Sequence, residues 1–300
     1  MSEKIKSIKA TRYDRKIDSI MDKELIIEEA PMSLKEYDED GHLIHESNWG
    51  PGGMLSEKFI YEYQNKLLVK QLTYADEDEL GETESFEYDD NGNRIQSTVE
   101  YLDGSKDITT HAYNSEGRKI QSTTVDEDGE ESQQEFWEFE EDQLTSYKFI
   151  NDFGNIEEEQ KMKYNSDGKL IEKQFFNSLE ETEYRLAYEY DENGVLIMES
   201  KFSKKGNLIE EKTFSYNNAK KVVLERVENA KETLIKDFKY DENGNETYVI
   251  EREEEEEILK YEVWREFDSS RQQTTARVLI YGNGESSDLE YDIKYEYDFY

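Results

Sequence analysis

An aromatic residue followed by a short turn recurs about every 25 residues along this 300-residue chain. In the best-preserved copies the turn ends in glycine, as in Tyr88 to Gly92, Tyr190 to Gly194 and Tyr240 to Gly244. A fixed period of this size predicts an array in which each unit buries its apolar residues against its neighbours. The recurring aromatic positions, which we call anchors, are Tyr13, Tyr37, Tyr63, Tyr88, Tyr113, Phe139, Tyr164, Tyr190, Tyr216, Tyr240, Phe267 and Tyr291.

Weaker turns lie midway between the anchors, so the smallest unit is about 12 residues long: one strand and one turn. The alternation of apolar and charged residues is clearest between Tyr184 and Tyr216, where the even-numbered strand positions are mostly apolar and the odd-numbered ones mostly charged. On this basis we expect one face of the sheet to carry Tyr184, Leu186, Tyr188, Tyr190, Leu196, Met198, Phe202, Leu208, Phe214 and Tyr216. One apolar face, one wet face and short turns together predict antiparallel hairpins.

The anchor turns have a physical basis in their residue types. In the turn from Asp191 to Gly194, the aspartate can accept hydrogen bonds from the backbone ahead of it. Gly194 can adopt the left-handed conformation that closes a type I turn with a bulge. These residues therefore predict hairpin geometry and do not by themselves indicate a ligand site.

The fold class that follows is all-β: an antiparallel β-hairpin repeat array coiled into a spiral sheet or open shell. About 24 strands at roughly 4.8 Å spacing would make a sheet on the order of 115 Å wide, too wide to stay flat. We expect one domain over residues 1–300, with an N-terminal cap at 1–31, repeats at 32–290 and a terminal edge strand at 291–300. Within the cap, Ile17, Ile20, Met21, Glu24 and Ile27 fit a short helix ended by Pro31, and residues 25–27 fit a strand equally well.

The net charge of the chain restricts the classes of partner that we expect it to bind. The net charge is −37, which repels a phosphate backbone and an anionic membrane surface but attracts basic proteins. Acidity also keeps an edge-rich sheet soluble, and the two explanations are compatible. We therefore expect a basic protein partner, no nucleic acid and no membrane.

The chain has no cysteine, which excludes disulfides and thiolate chemistry. Residues 1–9 alternate polar and apolar residues without a signal-peptide core, and no window approaches 18 apolar residues. These features favour a cytoplasmic location.

The units resemble the tyrosine–aspartate (YD) repeats of Rhs and teneurin-type proteins. The resemblance rests on the segments Phe86 to Ile95 and Phe238 to Asn245 and extends, weakly in places, over most of the chain. In that family such repeats build spiralling β-shells around toxin domains or present binding surfaces. The resemblance implies a short, free-standing relative, more similar to an immunity or binding protein than to a shell around cargo.

No pattern indicates catalysis or a cofactor. The three histidines, His42, His45 and His111, lack the spacing of a metal site and are expected at exposed polar positions. With 74 acidic residues no carboxylate pair can be singled out, and no nucleophile elbow occurs. We therefore predict that the protein is not an enzyme and binds no cofactor.

One charge run stands out: Glu253, Glu254, Glu255, Glu256 and Glu257. Five like charges repel one another and make a poor strand, so a solvated loop is the simple interpretation. The alternative is a docking site for a Lys/Arg-rich partner.

We expect a non-catalytic acidic protein-binding module, in its most specific form an immunity protein that neutralises a basic toxin such as a nuclease. Two alternatives remain open. The first is a structural scaffold that joins other chains through its exposed edge strands. The second is a carbohydrate-binding module that uses Trp49, Trp137 or Trp264 as a platform, although a core role for each tryptophan is favoured by its position in the alternation.

Overall fold

The computed structural model describes residues 4–17, 25–76, 78–282 and 287–300, which form 22 strands. The strands are β1 (Ile5–Ile17), β2 (Leu25–Tyr37), β3 (Leu43–Trp49), β4 (Leu55–Gln64), β5 (Leu67–Tyr74), β6 (Leu80–Tyr88), β7 (Arg94–Tyr101), β8 (Lys106–Tyr113), β9 (Lys119–Val125), β10 (Glu131–Glu140), β11 (Gln143–Ile150), β12 (Ile156–Tyr164), β13 (Leu170–Asn177), β14 (Thr182–Tyr190), β15 (Leu196–Ser203), β16 (Leu208–Tyr216), β17 (Val222–Asn229), β18 (Thr233–Tyr240), β19 (Glu246–Glu253), β20 (Leu259–Phe267), β21 (Gln273–Ile280) and β22 (Leu289–Phe299). The predicted all-β hairpin array is confirmed, with two strands fewer than expected.

The sheet closes on itself. Every strand pairs antiparallel with the next one along the chain, and β1 also pairs with β22, from Asp14 opposite Tyr291 to Ile5 opposite Phe299. The prediction of an open spiral sheet or shell is therefore wrong, because the fold is a closed β-barrel. The predicted edge strand at 291–300 is wrong for the same reason: β22 is hydrogen-bonded on both sides. Closure satisfies the backbone groups that an open array would leave exposed at its first and last strands.

The strand registers give the shear of the barrel. Tyr61 in β4 is level with Gln71 in β5, which is level with Glu84 in β6. The anchor of β4 lies two residues beyond Tyr61, whereas the anchor of β6 lies four residues beyond Glu84, so one hairpin advances the anchor by two residues. The same two-residue advance recurs at each of the eleven steps from one even-numbered strand to the next. Added around the barrel back to β2, these steps give a total shear of 22 residues, which equals the number of strands. A shear equal to the strand number corresponds to a tilt of about 36° and a circular diameter of about 40 Å.

The anchor turns adopt the predicted geometry. In the turn after Tyr190, the Asp191 carboxylate accepts the N–H groups of Asn193 (2.9 Å) and Val195 (2.7 Å). Gly194 has a φ of +74° and donates its N–H to the Asp191 carbonyl at 2.9 Å. Where glycine is absent the left-handed position persists, as at Lys220, with a φ of +58°. The turn geometry therefore survives the loss of its most favourable residue.

The anchor tyrosines tie consecutive hairpins together. In β14, the Tyr190 hydroxyl donates to the Leu170 carbonyl in the preceding hairpin at 2.8 Å. Equivalent hydroxyl-to-carbonyl bonds are made by Tyr88, Tyr113, Tyr164, Tyr216, Tyr240 and Tyr297. We call this series the tyrosine ladder, and the barrel end formed by the turns from even- to odd-numbered strands the ladder end. In β22 the equivalent residue is Tyr297, so the anchors predicted at Tyr291 and, in the middle of β1, at Tyr13 are wrong.

Two faces can be followed around the barrel: the tyrosine face, which carries the ladder residues, and the opposite, charged face. The predicted face assignment fails at two residues of β15. A register shift between Glu189 and Tyr190 places Met198 opposite Glu189 and Phe202 opposite Arg185. Directly paired residues share a face, so Met198 and Phe202 lie on the charged face. The Arg185 guanidinium carbon sits 4.1 Å from the Phe202 ring centroid, which gives this half-buried aromatic a partner on that face.

The described part of the predicted N-terminal helix is strand. Residues 18–24 lie outside the described residues, while Leu25–Tyr37 forms β2 and residues 5–17 form β1. Pro31, expected to end the helix, instead sits opposite Thr11 at a register shift in β2. A bulge is one of the few positions where a sheet accepts a residue without an N–H.

The barrel has little conventional core. Its accessible surface is 19519 Å² for 35.6 kDa, against about 13,000 Å² for a compact monomer of this mass. The buried cluster among the described residues is small and lies at the closing strands, where Ala10, Ala276 and Ile293 pack against Met32 and Tyr295. Both faces of the sheet are therefore largely open to solvent, and stability depends on strand pairing and cross-strand contacts.

Candidate functional site: the acidic turns

Glu254 to Glu257 form the turn between β19 and β20, and Glu253 is the last residue of β19. Its ends are fixed by backbone hydrogen bonds: the Glu253 N–H donates to the Ile258 carbonyl at 2.9 Å. The Glu254 N–H donates to the Thr233 carbonyl at 2.8 Å, which ties the turn to the start of β18. The predicted solvated loop is confirmed for Glu254 to Glu257, which are exposed, whereas Glu253 is half-buried and belongs to β19.

The five carboxylates divide into two groups. Glu254 pairs with Arg226 of β17 at 2.9 Å, and Glu253 lies 3.8 Å from the Lys260 ammonium. The side chains of Glu255, Glu256 and Glu257 are exposed and have no ion-pair partner within the described ranges. Two members of the predicted site therefore hold the turn in place, and three are available to an incoming cation.

A second turn has the same charge. Residues 126–130, between β9 and β10, contain four carboxylates. Asp126 accepts the N–H groups of Asp128 (3.0 Å) and Glu130 (2.9 Å), so its carboxylate is used in the turn. Glu127, Asp128 and Glu130 are exposed. The sequence predicted a weak turn here, but its candidacy as a binding site was missed, although four acidic residues within five positions were a clear signal.

The two turns face each other across one opening. Both connect an odd-numbered strand to an even-numbered one, so they lie at the same end of the barrel, which we call the acidic end. They are ten strand positions apart in a ring of 22, close to half of its circumference. For a circular barrel they are separated by about 40 Å. A partner that touches both would cover the opening.

The histidines occupy half-buried positions, whereas the sequence predicted exposed ones. His45 forms a short chain in which Nδ1 lies 2.6 Å from Glu36 Oε2 and Nε2 lies 2.8 Å from Ser47 Oγ. Although this chain has the residue types of a hydrolytic triad, Ser47 is only 3 % exposed. A substrate has no access to that hydroxyl, so the chain serves to satisfy buried polar groups.

His111 is held by Ser122, whose hydroxyl lies 2.8 Å from Nδ1. Burial lowers the pKa of His111, and Lys119 and Arg94 lower it further. The imidazole is therefore neutral at pH 7. No group of three or more potential metal ligands occurs in residues 4–17, 25–76, 78–282 and 287–300. None of these residues lies in a helix that could cross a membrane.

The three tryptophans differ in exposure. Trp49 and Trp137 are half-buried and Trp264 is 36 % exposed, so none of the three has the core position that the sequence favoured. Trp137 packs against Tyr147 with ring centroids 5.5 Å apart, and the Lys119 ammonium lies 4.0 Å from the tryptophan ring centroid. Trp264 is therefore the tryptophan with the most accessible ring.

Comparison with known proteins leaves the family open. No protein-family description and no curated protein sequence matches the chain. Among solved structures it is similar to a porin-like protein from Bacteroides uniformis, with 10 % identity, coverage of 98 % of each chain and a TM-score of 0.30. A porin-like protein from Bacteroides vulgatus gives 11 % identity, 99 % coverage of each chain and a TM-score of 0.24.

The structure of TcdB2-TccC3-TEV is also similar, at 12 % identity and a TM-score of 0.26. That match covers 89 % of this chain and 22 % of the other. TM-scores of this size support no argument about function. The hairpin repeat is present in the structure, and membership of the YD-repeat family remains a prediction.

Proposed function

We propose that the protein is a non-catalytic binding module that captures a basic protein at its acidic end. The observation that carries this proposal is the pair of four-carboxylate turns on opposite sides of one barrel opening. Their free acids, Glu255 to Glu257 in one turn and Glu127, Asp128 and Glu130 in the other, are exposed rather than used within the fold.

Long-range attraction supplies the first step of binding. A net charge of −37 accelerates the encounter with a basic protein, and the attraction decays over a Debye length of about 8 Å at physiological salt. Exposed carboxylates at the opening then determine where the partner docks, because charges at the rim of an interface fix orientation and register. Association is accordingly fast and sensitive to salt.

The most specific form of the proposal is an immunity protein that neutralises a basic toxin in the cytoplasm. It depends on the predicted kinship with YD-repeat proteins as well as on the acidic end. The scaffold alternative loses its basis, because it required free edge strands and β1 pairs with β22.

The test is affinity capture with three baits: the wild type, an acidic-end variant and a ladder-end variant. The acidic-end variant carries Glu255→Gln, Glu256→Gln and Glu257→Gln. The ladder-end variant carries Glu39→Gln, Glu192→Gln and Glu242→Gln, so both have the same net charge. We expect a basic protein that the wild type and the ladder-end variant retain at low salt and the acidic-end variant loses.

Retention of the same basic protein by all three baits would contradict docking at the acidic end. The immunity form has its own test, in which the captured protein is expressed with and without this chain. Toxicity that is relieved by co-expression supports it, and toxicity that is unchanged contradicts it.

A further inference from the structure

A second surface surrounds Trp264 in β20 and is built around aromatic rings rather than exposed carboxylates. Trp264 is three residues from the anchor Phe267 and therefore lies on the charged face. Its direct cross-strand partners are Tyr248 of β19 and Arg277 of β21. The Trp264 and Tyr248 ring centroids are 5.4 Å apart with an interplanar angle of 43°. An exposed tryptophan beside a second aromatic ring forms an apolar platform on the charged face.

The platform is held in place before any ligand arrives. The hydroxyls of Tyr248 and Tyr281 both donate to the Glu262 carboxylate, Tyr248 at 2.5 Å. The hydrogen bond to Glu262 and, to a lesser degree, burial raise the pKa of Tyr281 to about 12. Burial and the hydrogen bond to Glu262 raise the pKa of Tyr248 as well, so both phenols stay protonated at neutral pH and continue to donate. A ring fixed in this way loses little conformational freedom when a ligand stacks beside it.

A groove of about 500 Å³ lies next to Trp264 and crosses β20, β21, β22 and β1. Six polar side chains line it: Arg15, Glu266, Thr275, Arg277, Asp292 and Lys294. Its size is within the range of small-ligand sites, which combine an apolar surface with a few convergent polar groups.

Most of the charges in the groove are already paired. Arg15 contacts Asp292 at 2.6 Å, and Arg277 pairs with Glu290 at the edge of the groove. Thr275 Oγ1 donates to Glu266 at 3.0 Å. The lining therefore offers donors and acceptors with little net charge.

Lys294 is the exception. Its ammonium lies 4.7 Å from the Tyr13 ring centroid and has no carboxylate partner in the part of the chain that the structure describes. It retains hydrogen-bond donors for a ligand.

These features fit one ligand class best. A purely apolar ligand would remove six polar side chains from water without hydrogen bonds. An anion would be repelled by the protein's net charge of −37. A neutral sugar presents an apolar C–H face to an aromatic ring and hydroxyls to polar side chains around it. We propose that the groove beside Trp264 binds a neutral oligosaccharide, with Trp264 as the stacking platform and Lys294 and Thr275 as hydrogen-bonding partners.

Trp137 provides a matched internal control. It also packs against a tyrosine, with ring centroids 5.5 Å apart, and the Tyr147 hydroxyl donates to Glu135 at 2.9 Å. The two clusters thus share their construction, including a nearby cation: the Lys119 ammonium lies 4.0 Å from the Trp137 ring centroid, and the Arg277 guanidinium carbon lies 5.8 Å from the Trp264 ring centroid. They differ in exposure, because Trp137 is half-buried and Trp264 is exposed. A sugar should stack on Trp264 and not on Trp137.

The test uses the variant Trp49→Phe/Trp137→Phe, in which Trp264 is the sole tryptophan. Its fluorescence is titrated with three neutral hexasaccharides, cellohexaose, chitohexaose and maltohexaose, and with an oligogalacturonate. We expect a saturable change with at least one neutral sugar and a weaker response to the anionic one. No response to any neutral sugar, or a response to the oligogalacturonate alone, would overturn the proposal.

Calorimetry with the sugar that responds then assigns the residues. We expect Trp264→Ala to weaken binding by about tenfold or more and Trp137→Phe to leave it unchanged. If Trp264→Ala does not fold, Thr275→Val and Lys294→Met test the polar part of the same groove, each with an expected loss of about fivefold. Unchanged affinity in the folded variants would contradict the assignment. None of these outcomes bears on the acidic end, which lies outside the groove.

Discussion

The two ends of the barrel are built from the same kind of turn but use their side chains differently. At the ladder end, the residue after most anchors accepts backbone N–H groups, as Asp191 does, and the hydroxyl of each ladder tyrosine binds the previous hairpin, as that of Tyr190 does. At the acidic end, Asp126 accepts backbone N–H groups in the same way, and six further carboxylates, clustered in two turns, are exposed. The residues that recur with the 25-residue period therefore maintain the fold. Residues that depart from the period, such as Glu255, are free to carry function.

The first prediction concerns five of the seven ladder tyrosines and has the largest expected effect. Burial raises the pKa of Tyr113, Tyr190, Tyr216, Tyr240 and Tyr297 above the ordinary value of 10.0. A raised pKa in the folded state contributes stability that is complete below the unfolded value of 10.0 and is lost as the pH rises through the folded value. We expect the free energy of unfolding in urea to fall steeply above pH 10. A stability that is flat from pH 8 to pH 11 would contradict it.

The second prediction removes one ladder residue. Tyr190→Ala deletes a half-buried ring and its bond to Leu170, and we expect a loss of about 2–3 kcal/mol. Tyr190→Phe keeps the ring and should lose only about 1 kcal/mol. Both values come from urea unfolding. Equal losses in the two variants would mean that the hydroxyl bond contributes nothing.

The third prediction fills a gap in the ladder. Phe139 occupies a ladder position without a hydroxyl, and the equivalent acceptor in the preceding hairpin is the Lys119 carbonyl, because Lys119 pairs with the anchor Tyr113. Phe139→Tyr should therefore stabilise the protein by about 1 kcal/mol. A variant that is no more stable than the wild type in urea would show that the ladder bonds do not follow from position alone.

The fourth prediction separates backbone conformation from packing at the ladder end. Gly92 has a φ of +83° and open space around its missing Cβ. Gly92→Val should cost about 1–2 kcal/mol through backbone strain alone, and Gly92→Asn should cost less, because asparagine tolerates this conformation. Thermal unfolding of the two variants distinguishes them, and indistinguishable midpoints would contradict the explanation.

The fifth prediction has the smallest effect on stability. The acidic-end variant, Glu255→Gln/Glu256→Gln/Glu257→Gln, should change the free energy of unfolding by less than about 0.5 kcal/mol, because these side chains are exposed and unpaired. Glu254→Gln is the comparison, since it loses the ion pair with Arg226. A large loss in the triple variant would mean that these residues maintain the fold after all.

Local features of the fold could be predicted from the sequence because they have local causes. The hairpin period, the antiparallel pairing and the turn at Asp191 to Gly194 each follow from residues close together in the chain. The solvated turn at Glu254 to Glu257 follows from like-charge repulsion in the same way.

Closure of the barrel could not be predicted, because it depends on the register advances of all the hairpins added together. Each hairpin advances the anchor by two residues, and only after eleven such steps does β22 meet β1. No local signal pairs Ala10 with Tyr295, which are adjacent in the barrel and 285 positions apart in the chain. The register shift beside Tyr190 could not be predicted for a related reason. Odd and even residue numbers keep alternating along the chain, even where one strand gains a residue relative to its partner and its side chains change face.

Only one of the two acidic turns of the candidate site was identified from the sequence. The run at Glu253 to Glu257 stood out, but the ion pairs of Glu253 and Glu254 depend on Lys260 and on Arg226 of a more distant strand. The turn at residues 126–130 lies across the same opening only because the barrel closes. Both facts required the three-dimensional structure.

The most direct test of the acidic end is the affinity of a lysine homopolymer for the wild type, the acidic-end variant and the ladder-end variant, measured at low and high salt. The two variants carry the same net charge, so a difference between them reports location alone. We expect the acidic-end variant to bind about tenfold more weakly than the ladder-end variant at low salt, with the difference disappearing at high salt. Equal affinities of the two variants at low salt would contradict the account, because the attraction would then arise from net charge and not from the two turns at the opening.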